Sequence, residues 1–213
     1  QELSAYANTA EISASRVGGG GSSQVKFKLR STDVMTLNSS GNVGIGTTSP
    51  TTLLDVTSAG NGEIAIISGT SGITSLYMGD SAQKDKGKIW YHNGSDYMAF
   101  NANGAERMRI DSSGNIGIGV TPSSWPSNGD FKALQVGSGL SLYGRGSGDK
   151  DRVGMTANAY VDVTNDRFEY IGTGHATHYR QSDGTHAFQT AASGSADGAI
   201  TFSTVMSIDA SGK

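Results

Sequence analysis

The feature that most constrains this chain is a motif written twice in full and begun a third time. Met35-Thr36-Leu37-Asn38-Ser39-Ser40-Gly41-Asn42-Val43-Gly44-Ile45-Gly46 runs on into Thr-Thr-Ser-Pro50. Met108-Arg109-Ile110-Asp111-Ser112-Ser113-Gly114-Asn115-Ile116-Gly117-Ile118-Gly119 runs on into Val-Thr-Pro122. Met206-Ser207-Ile208-Asp209-Ala210-Ser211-Gly212-Lys213 stops where Val/Ile-Gly-Ile-Gly should come next. The motif carries almost no reactive side chain, so its repetition points to an architectural element rather than an active site. The interrupted third copy, a Gln at residue 1 and no visible signal peptide lead us to expect a piece of something longer.

Met108 and Ile110 alternate with Arg107 and Arg109, the period of a half-buried strand. Asp111-Ser-Ser-Gly114 follows with turn chemistry: an Asp or Asn opens a type I turn, and Gly fits the left-handed position after it. A short hairpin is predicted, closed by a glycine bulge. Its return strand, Ile116-Gly117-Ile118-Gly119, has one branched apolar face and one face of hydrogens that lets another backbone come close. Glycine costs a strand backbone entropy. Its placement at Gly44 and Gly117, between branched residues, predicts a crowded neighbour, which in a fibre would be a symmetry-related chain. The Gly strings do not read as phosphate cradles, because each runs into Thr and Pro with no helical pattern behind it.

Composition narrows the class. Of 213 residues, 35% are hydrophobic, 16% are charged and 31 are Gly, a combination that taken alone would suit disorder. The alternating stretches and regularly placed turns argue instead for a fold. A chain so poor in core residues would struggle to bury enough surface by itself, so an obligate oligomer is expected. There is no Cys, which excludes disulfides and thiolate metal sites. A net charge of −3 with both signs scattered does not suggest a nucleic-acid partner. No apolar run has the length of a membrane span, so membrane insertion is not expected.

Three β modules are read along the chain: 1–46, 47–119 and 120–213. In each, an apolar strand precedes the Met strand: Val25–Leu29, then Tyr97–Phe100, then Ile200–Phe202. A Pro-containing bend and a new strand follow each complete motif, at 53–56 and 133–136. Further strands are predicted at 64–67, 75–77, 88–92, 141–143, 153–155, 160–163, 168–171 and 186–189, separated by Gly, Asn, Asp and Ser clusters. The unequal spacing of Met35, Met108 and Met206 rules out a tight solenoid. Gly18–Ser23 reads as a flexible connector. Before it, Leu3, Ala7, Ala10, Ala14 and Val17 have the spacing of a coiled-coil seam, but a strand around 10–14 matches the later modules better.

The strings Gly41–Pro50 and Arg107–Gly119, each joined to a Met-x-Leu/Ile-Asn/Asp strand, resemble tailed-phage tail fibres and related virion appendages. The resemblance covers the module junctions and not the insertions. It implies an all-β, elongated, intertwined homotrimeric fibre made of repeated short-strand modules, located extracellularly on the virion. Implied partners are two further copies of the chain, other virion or tail proteins, and a host cell-surface glycan or protein. Such fibres often end in a C-terminal intramolecular chaperone that trimerises the fibre and cleaves itself off. Nothing in this sequence matches one, so no catalytic residue is carried over.

Candidate chemistry is sparse. His175, His178 and His186 could form a metal constellation, but residues three apart on a strand point to opposite faces. Asp80, Asp85, Asp149, Asp151, Asp162, Asp166 and Glu169 could supply the paired carboxylates of a polysaccharide-degrading tailspike. Most sit in turn-like surroundings, and 84–88 and 148–152 read as charged hairpin tips. Aromatics are the better surface candidates. Trp90 and His92 share one strand face, and Tyr160, Tyr170 and Tyr179 belong to the same class; exposed rings of this kind stack on sugars. The expectation is therefore a non-enzymatic, cofactor-free structural fibre segment that contributes to host attachment. Its architecture would rest on Gly41, Gly44, Gly46, Gly114, Gly117 and Gly119. A tailspike-type enzyme or a bacterial extracellular adhesin are the alternatives.

Overall fold

The structure, a computed structural model, describes residues 10–16, 23–126, 131–145 and 152–213. All regular structure among them is β, with no helix. Most of the coiled-coil spacing, most of the Gly18–Ser23 connector and the 148–151 hairpin tip lie outside these residues. Where the two N-terminal readings meet the described residues, Ala10–Arg16 is a strand, β1.

The chain divides into two compact units, Gln1–Ala65 and Ile66–Lys213. The first is a five-stranded sheet of β1, β2 (Ser23–Leu29), β3 (Thr32–Asn38), β4 (Val43–Ile45) and β5 (Leu54–Val56), in that order. Neighbours pair antiparallel except β4 and β5, which run parallel.

The second unit holds β6 (Ile73–Met78), β7 (Gly87–His92), β8 (Tyr97–Ala102), β9 (Ala105–Ile110), β10 (Ile116–Ile118), β11 (Phe131–Val136), β12 (Leu140–Arg145), β13 (Val153–Ala157), β14 (Ala159–Asp162), β15 (Arg167–Tyr170), β16 (Gly174–Ser182), β17 (Thr185–Gly194) and β18 (Ser203–Ile208). Eleven of these form one sheet running from β6 at one edge to β18 at the other, and β14–β15 is a separate hairpin. The β10–β11 pair repeats the parallel β4–β5 step.

Tight turns explain the meander. Asn103-Gly104 joins β8 to β9 and Asp183-Gly184 joins β16 to β17, each with both residues at positive φ. This is the two-residue turn whose twist matches the strands it joins. Arg30-Ser31 does the same between β2 and β3 at φ 50 and 67, without the Asn or Gly that normally announces it.

One face of the eleven-stranded sheet is roofed by its own chain between β10 and β17. The bend after Gly119, the β14–β15 hairpin and the segment after β17 form the roof. Trp125, Phe131, Ala133, Tyr143, Tyr160 and Val161 make one core there, and Ala159, Tyr170 and Ala176 a second. Backbone bonds pin the roof together: Val163 N–H donates to Ser124 C=O at 3.1 Å and Ile200 N–H to Phe168 C=O at 2.8 Å.

Two expectations are corrected. Residues 64–67 form no strand, because no neighbouring strand pairs with them; Ile64 and Ile67 are exposed. Residues 200–202, expected as the apolar strand before the Met206 strand, lie outside the strands, and Met206 is paired by Phe188 on β17. Ile200 is drawn instead to the backbone of Phe168, and Phe202 to its ring.

Candidate assembly face and aromatic cluster

The repeated motif has the same local geometry in all three copies. Asn38, Asp111 and Asp209 each cap their turn: the side-chain Oδ1 accepts from Ser40 and Asn42, from Ser113 and Asn115, and from Ser211 and Lys213. The backbone closes the same way each time, with Gly41, Gly114 and Gly212 at φ near +80 donating N–H to the capping residue's C=O. Glycine takes that left-handed position without the penalty a side chain would bring. The return strands then pair Thr36 with Gly44 and Arg109 with Gly117. Gly46 N–H and Gly119 N–H close the hairpins on Val34 C=O and Arg107 C=O.

The crowding predicted at Gly44 and Gly117 is present, but its source within the structure is the same chain. A Cβ on Gly44 would lie 2.6 Å from Thr47 O, and one on Gly117 would collide with Val120 O and lie 2.8 Å from Pro122 Cδ. The bend that follows each motif folds back onto its own strand, so the expectation of an interchain contact at these two positions is corrected. After Gly117 that bend carries Trp125 into the core.

The opposite sheet face is uncovered and apolar. In the second unit one cross-strand row runs Met98, Ile110, Ile116, Leu134, Leu142, Met155, Tyr179, Phe188, Met206. A second runs Leu76, Ile89, Phe100, Met108, Ile118, Val136. Every member is half-buried or exposed; Leu142 is 39% exposed and Met155 47%. Along this face Ile116, Leu134, Leu142 and Met155 help line a shallow groove of about 630 Å³. The first unit repeats the design with Ile12, Phe27, Met35, Ile45 and Val56 in one row. Its other face is polar: Lys26 Nζ lies 2.6 Å from Asp33, whose carboxyl this bond holds below the usual carboxylate range. A Phe–Met pair sits at the same place in all three copies, Phe27–Met35, Phe100–Met108 and Phe188–Met206, each just before a bulge.

Trp90 and His92 lie on the other face of β7, where Tyr97 from β8 joins them. His92 and Tyr97 stack with centroids 5.3 Å apart, and Tyr97 meets Trp90 edge-on at 5.2 Å. Lys88 Nζ stands 4.3 Å from the Trp90 ring and the Arg109 guanidinium 4.2 Å from the Tyr97 ring. Trp90 Nε1–H donates to Asn101 Oδ1 at 2.9 Å, and Arg109 pairs with Glu106 through both carboxylate oxygens. The three rings are half-buried and carry cations and amides at their rims, a set that suits sugar rings and their hydroxyls. Tyr97 was the missed member; its place opposite His92 across the β7–β8 hairpin brings it in.

The tyrosines divide. Tyr160 and Tyr170 are 8% and 5% exposed and belong to the two cores, so their expected place among surface aromatics is corrected. The roof uses each ring as filling: the Tyr170 hydroxyl donates to Ala192 C=O and that of Tyr160 to Glu169. Tyr179 stays on the apolar face, stacked on His186 with its hydroxyl 2.6 Å from Nδ1.

Two of the candidate carboxylates are held in ion pairs. Glu169 is buried and ion-paired to Arg167 at 2.8 Å, and Asp80 is held below the usual carboxylate range by Lys86. His178 points into the roofed side and bonds Tyr143, away from His186 on the apolar side. No group of three metal-ligating side chains forms among the described residues. No protein-family model matches the chain, and no curated protein matches it.

Proposed function

We propose that this chain is a structural segment of a homotrimeric β fibre on a tailed-phage virion, a tail fibre or related appendage, outside the cell. It extends and presents the fibre and contributes to host-surface attachment, without catalysing a reaction. The observation that carries the reading is the uncovered apolar face. In each unit, branched and aromatic residues line one side of the sheet from strand to strand, with none of that unit's other described strands packed over them. A continuous apolar face of this kind, rather than singly scattered apolar residues, supports the reading of a protein–protein contact. Its occupant in this reading is the matching face of further copies, since a repeated pattern is best met by the same repeat. The motif's resemblance to virion appendages supplies the three-fold arrangement. The Trp90–His92–Tyr97 cluster lies on the opposite side of its sheet, so assembly through the apolar face leaves it available to a cell-surface glycan. Avidity over three copies would strengthen weak contacts of that kind.

Light scattering coupled to small-angle X-ray scattering tests the reading. A rod of three times 22.0 kDa is expected; a compact monomer at micromolar concentration overturns it.

A further inference from the structure

A cavity of about 580 Å³ lies between the sheet and its roof, on the side that carries Tyr143 and His178. Four arginines line it, Arg145, Arg152, Arg167 and Arg180, against one carboxylate, Asp166, among the described residues. Strand register explains part of the convergence. Tyr143 pairs with Gly154 and Gly154 with Arg180, so the three share the roofed face, and Gly154 leaves the space above it open to its neighbours. Arg145 lies two residues beyond Tyr143 on that face. Burial keeps His178 neutral, so the positive charge belongs to the guanidinium groups alone.

Three of the four arginines are engaged. Arg145 stands 4.9 Å from the Phe131 ring, Arg152 Nε–H donates to Ser182 Oγ at 3.4 Å, and Arg167 pairs with Glu169 at 2.8 Å. Arg180 differs. The residue is half-buried, and its Nε is buried with no hydrogen-bond partner among the described residues. A buried donor without an acceptor is costly, so this position favours an acceptor brought from outside. The roof sets apolar rings beside it: Phe168 meets Phe202 edge-on at 5.3 Å and lies 5.0 Å from the His178 ring. Thr201 and Gln189 complete the wall with a hydroxyl and an amide.

We infer that this cavity binds an acidic sugar, with the carboxylate on Arg180 and the ring against Phe168 and Phe202. A guanidinium presents paired N–H donors that match a carboxylate, and an aromatic ring takes the apolar side of a sugar. Thr201 and Gln189 are placed to meet the hydroxyls. The excess of cationic groups makes a neutral sugar the poorer ligand. The site is separate from the Trp90 cluster. It is built within one chain and does not rest on the fibre reading.

The test titrates the full chain with glucuronate by calorimetry, with glucose as the neutral match and sulfate as a generic anion. Saturable binding of glucuronate at millimolar concentration is expected, and none of glucose or sulfate in the same range. Arg180→Gln should weaken glucuronate by about tenfold or more, the loss of a charge-assisted hydrogen bond. Asp166→Asn should tighten it by about twofold or more, because the opposing carboxylate is gone. Asn accepts the positive φ of 46 at that position, so this variant keeps the fold and decides the matter if Arg180→Gln does not fold. Absence of glucuronate binding, equal binding of glucose or sulfate, unchanged affinity in a folded Arg180→Gln, or no gain in Asp166→Asn overturns the inference. Light scattering on the same samples reports oligomeric state separately, so failure here is distinguishable from failure of the fibre reading.

Discussion

The Tyr143 hydroxyl lies 2.7 Å from Nε2 of His178, although 35 residues separate them. Both side chains are buried under the roof of the sheet, at 6% and 3% exposure. Burial lowers His178 to about 4, with the Arg180 charge acting in the same direction, and burial raises the Tyr143 phenol well above its ordinary value. The imidazole is thus neutral in the fold, and its Nε2 shares a hydrogen bond with the phenol oxygen. An unfolded His takes up its proton near 6.5. Stability from this group is complete above that pH, declines as the pH falls from about 6.5 toward 4, and levels off below. The loss is on the order of 3 kcal/mol. Urea melts across that range check it: His178→Gln should flatten this part of the pH dependence.

Gly117→Ala should destabilise more than Gly114→Ala. At Gly117 the new methyl meets the backbone oxygen of Val120, which cannot swing aside as a side chain does. At Gly114 the space is open apart from the end of Lys132, and the cost is the left-handed φ of +82. About 2–3 kcal/mol is expected for overpacking at Gly117, against about 1–2 kcal/mol at Gly114. Thermal melting orders the pair.

The motif contains its own control for the turn. Asp111→Ala removes the acceptor of Ser113 N–H, Asn115 N–H and the Asn115 amide, a loss of about 1–3 kcal/mol. Asp111→Asn should retain most of the stability, because Asn38 fills the same role in the first copy. Chemical denaturation of both variants measures the difference.

If the chain assembles through its apolar face as proposed, Met155→Glu should dissociate that assembly. Met155 stands in the middle of the apolar row, beside Leu142 and Tyr179. A carboxylate trapped there without a partner costs on the order of 3–5 kcal/mol per chain. Val163→Glu is the matched control: Val163 is equally exposed at 45%, but follows β14 on the roofed side. Light scattering should report a smaller mass for the first variant and an unchanged mass for the second.

Much of the local architecture was legible in the residues. Asp or Asn followed by Ser and Gly forces a capped turn wherever it occurs, and all three copies have it. The period-two alternation in β2, β7, β9 and β11 marks strands whatever they pair with. Arg30-Ser31 was hidden because two residues with ordinary side chains hold positive φ there; the pairing of β2 with β3 imposes what local preference does not suggest. Residues 64–67 erred the other way: a branched apolar run has strand propensity, but a strand needs a neighbour to bond.

The candidate surfaces divide along the same line. Trp90 and His92 share a face because they are two residues apart on one strand, a fact of covalent geometry. Tyr97 joins them only through the hairpin register. Tyr160 and Tyr170 look in sequence like Tyr179, and nothing local separates them. Their burial depends on the β14–β15 hairpin folding over the sheet, a contact between segments far apart in the chain.

The sequence by itself determined the β class, the capped turns and the alternation that gives each strand one apolar side, because these depend on residues within a few positions of one another. Only the tertiary structure decided which side of each sheet is roofed. It also decided that Gly117 makes room for its own chain, and that Phe188 rather than Phe202 meets Met206. Those outcomes depend on which distant segments pack together, and that balance of burial is settled by the whole chain at once.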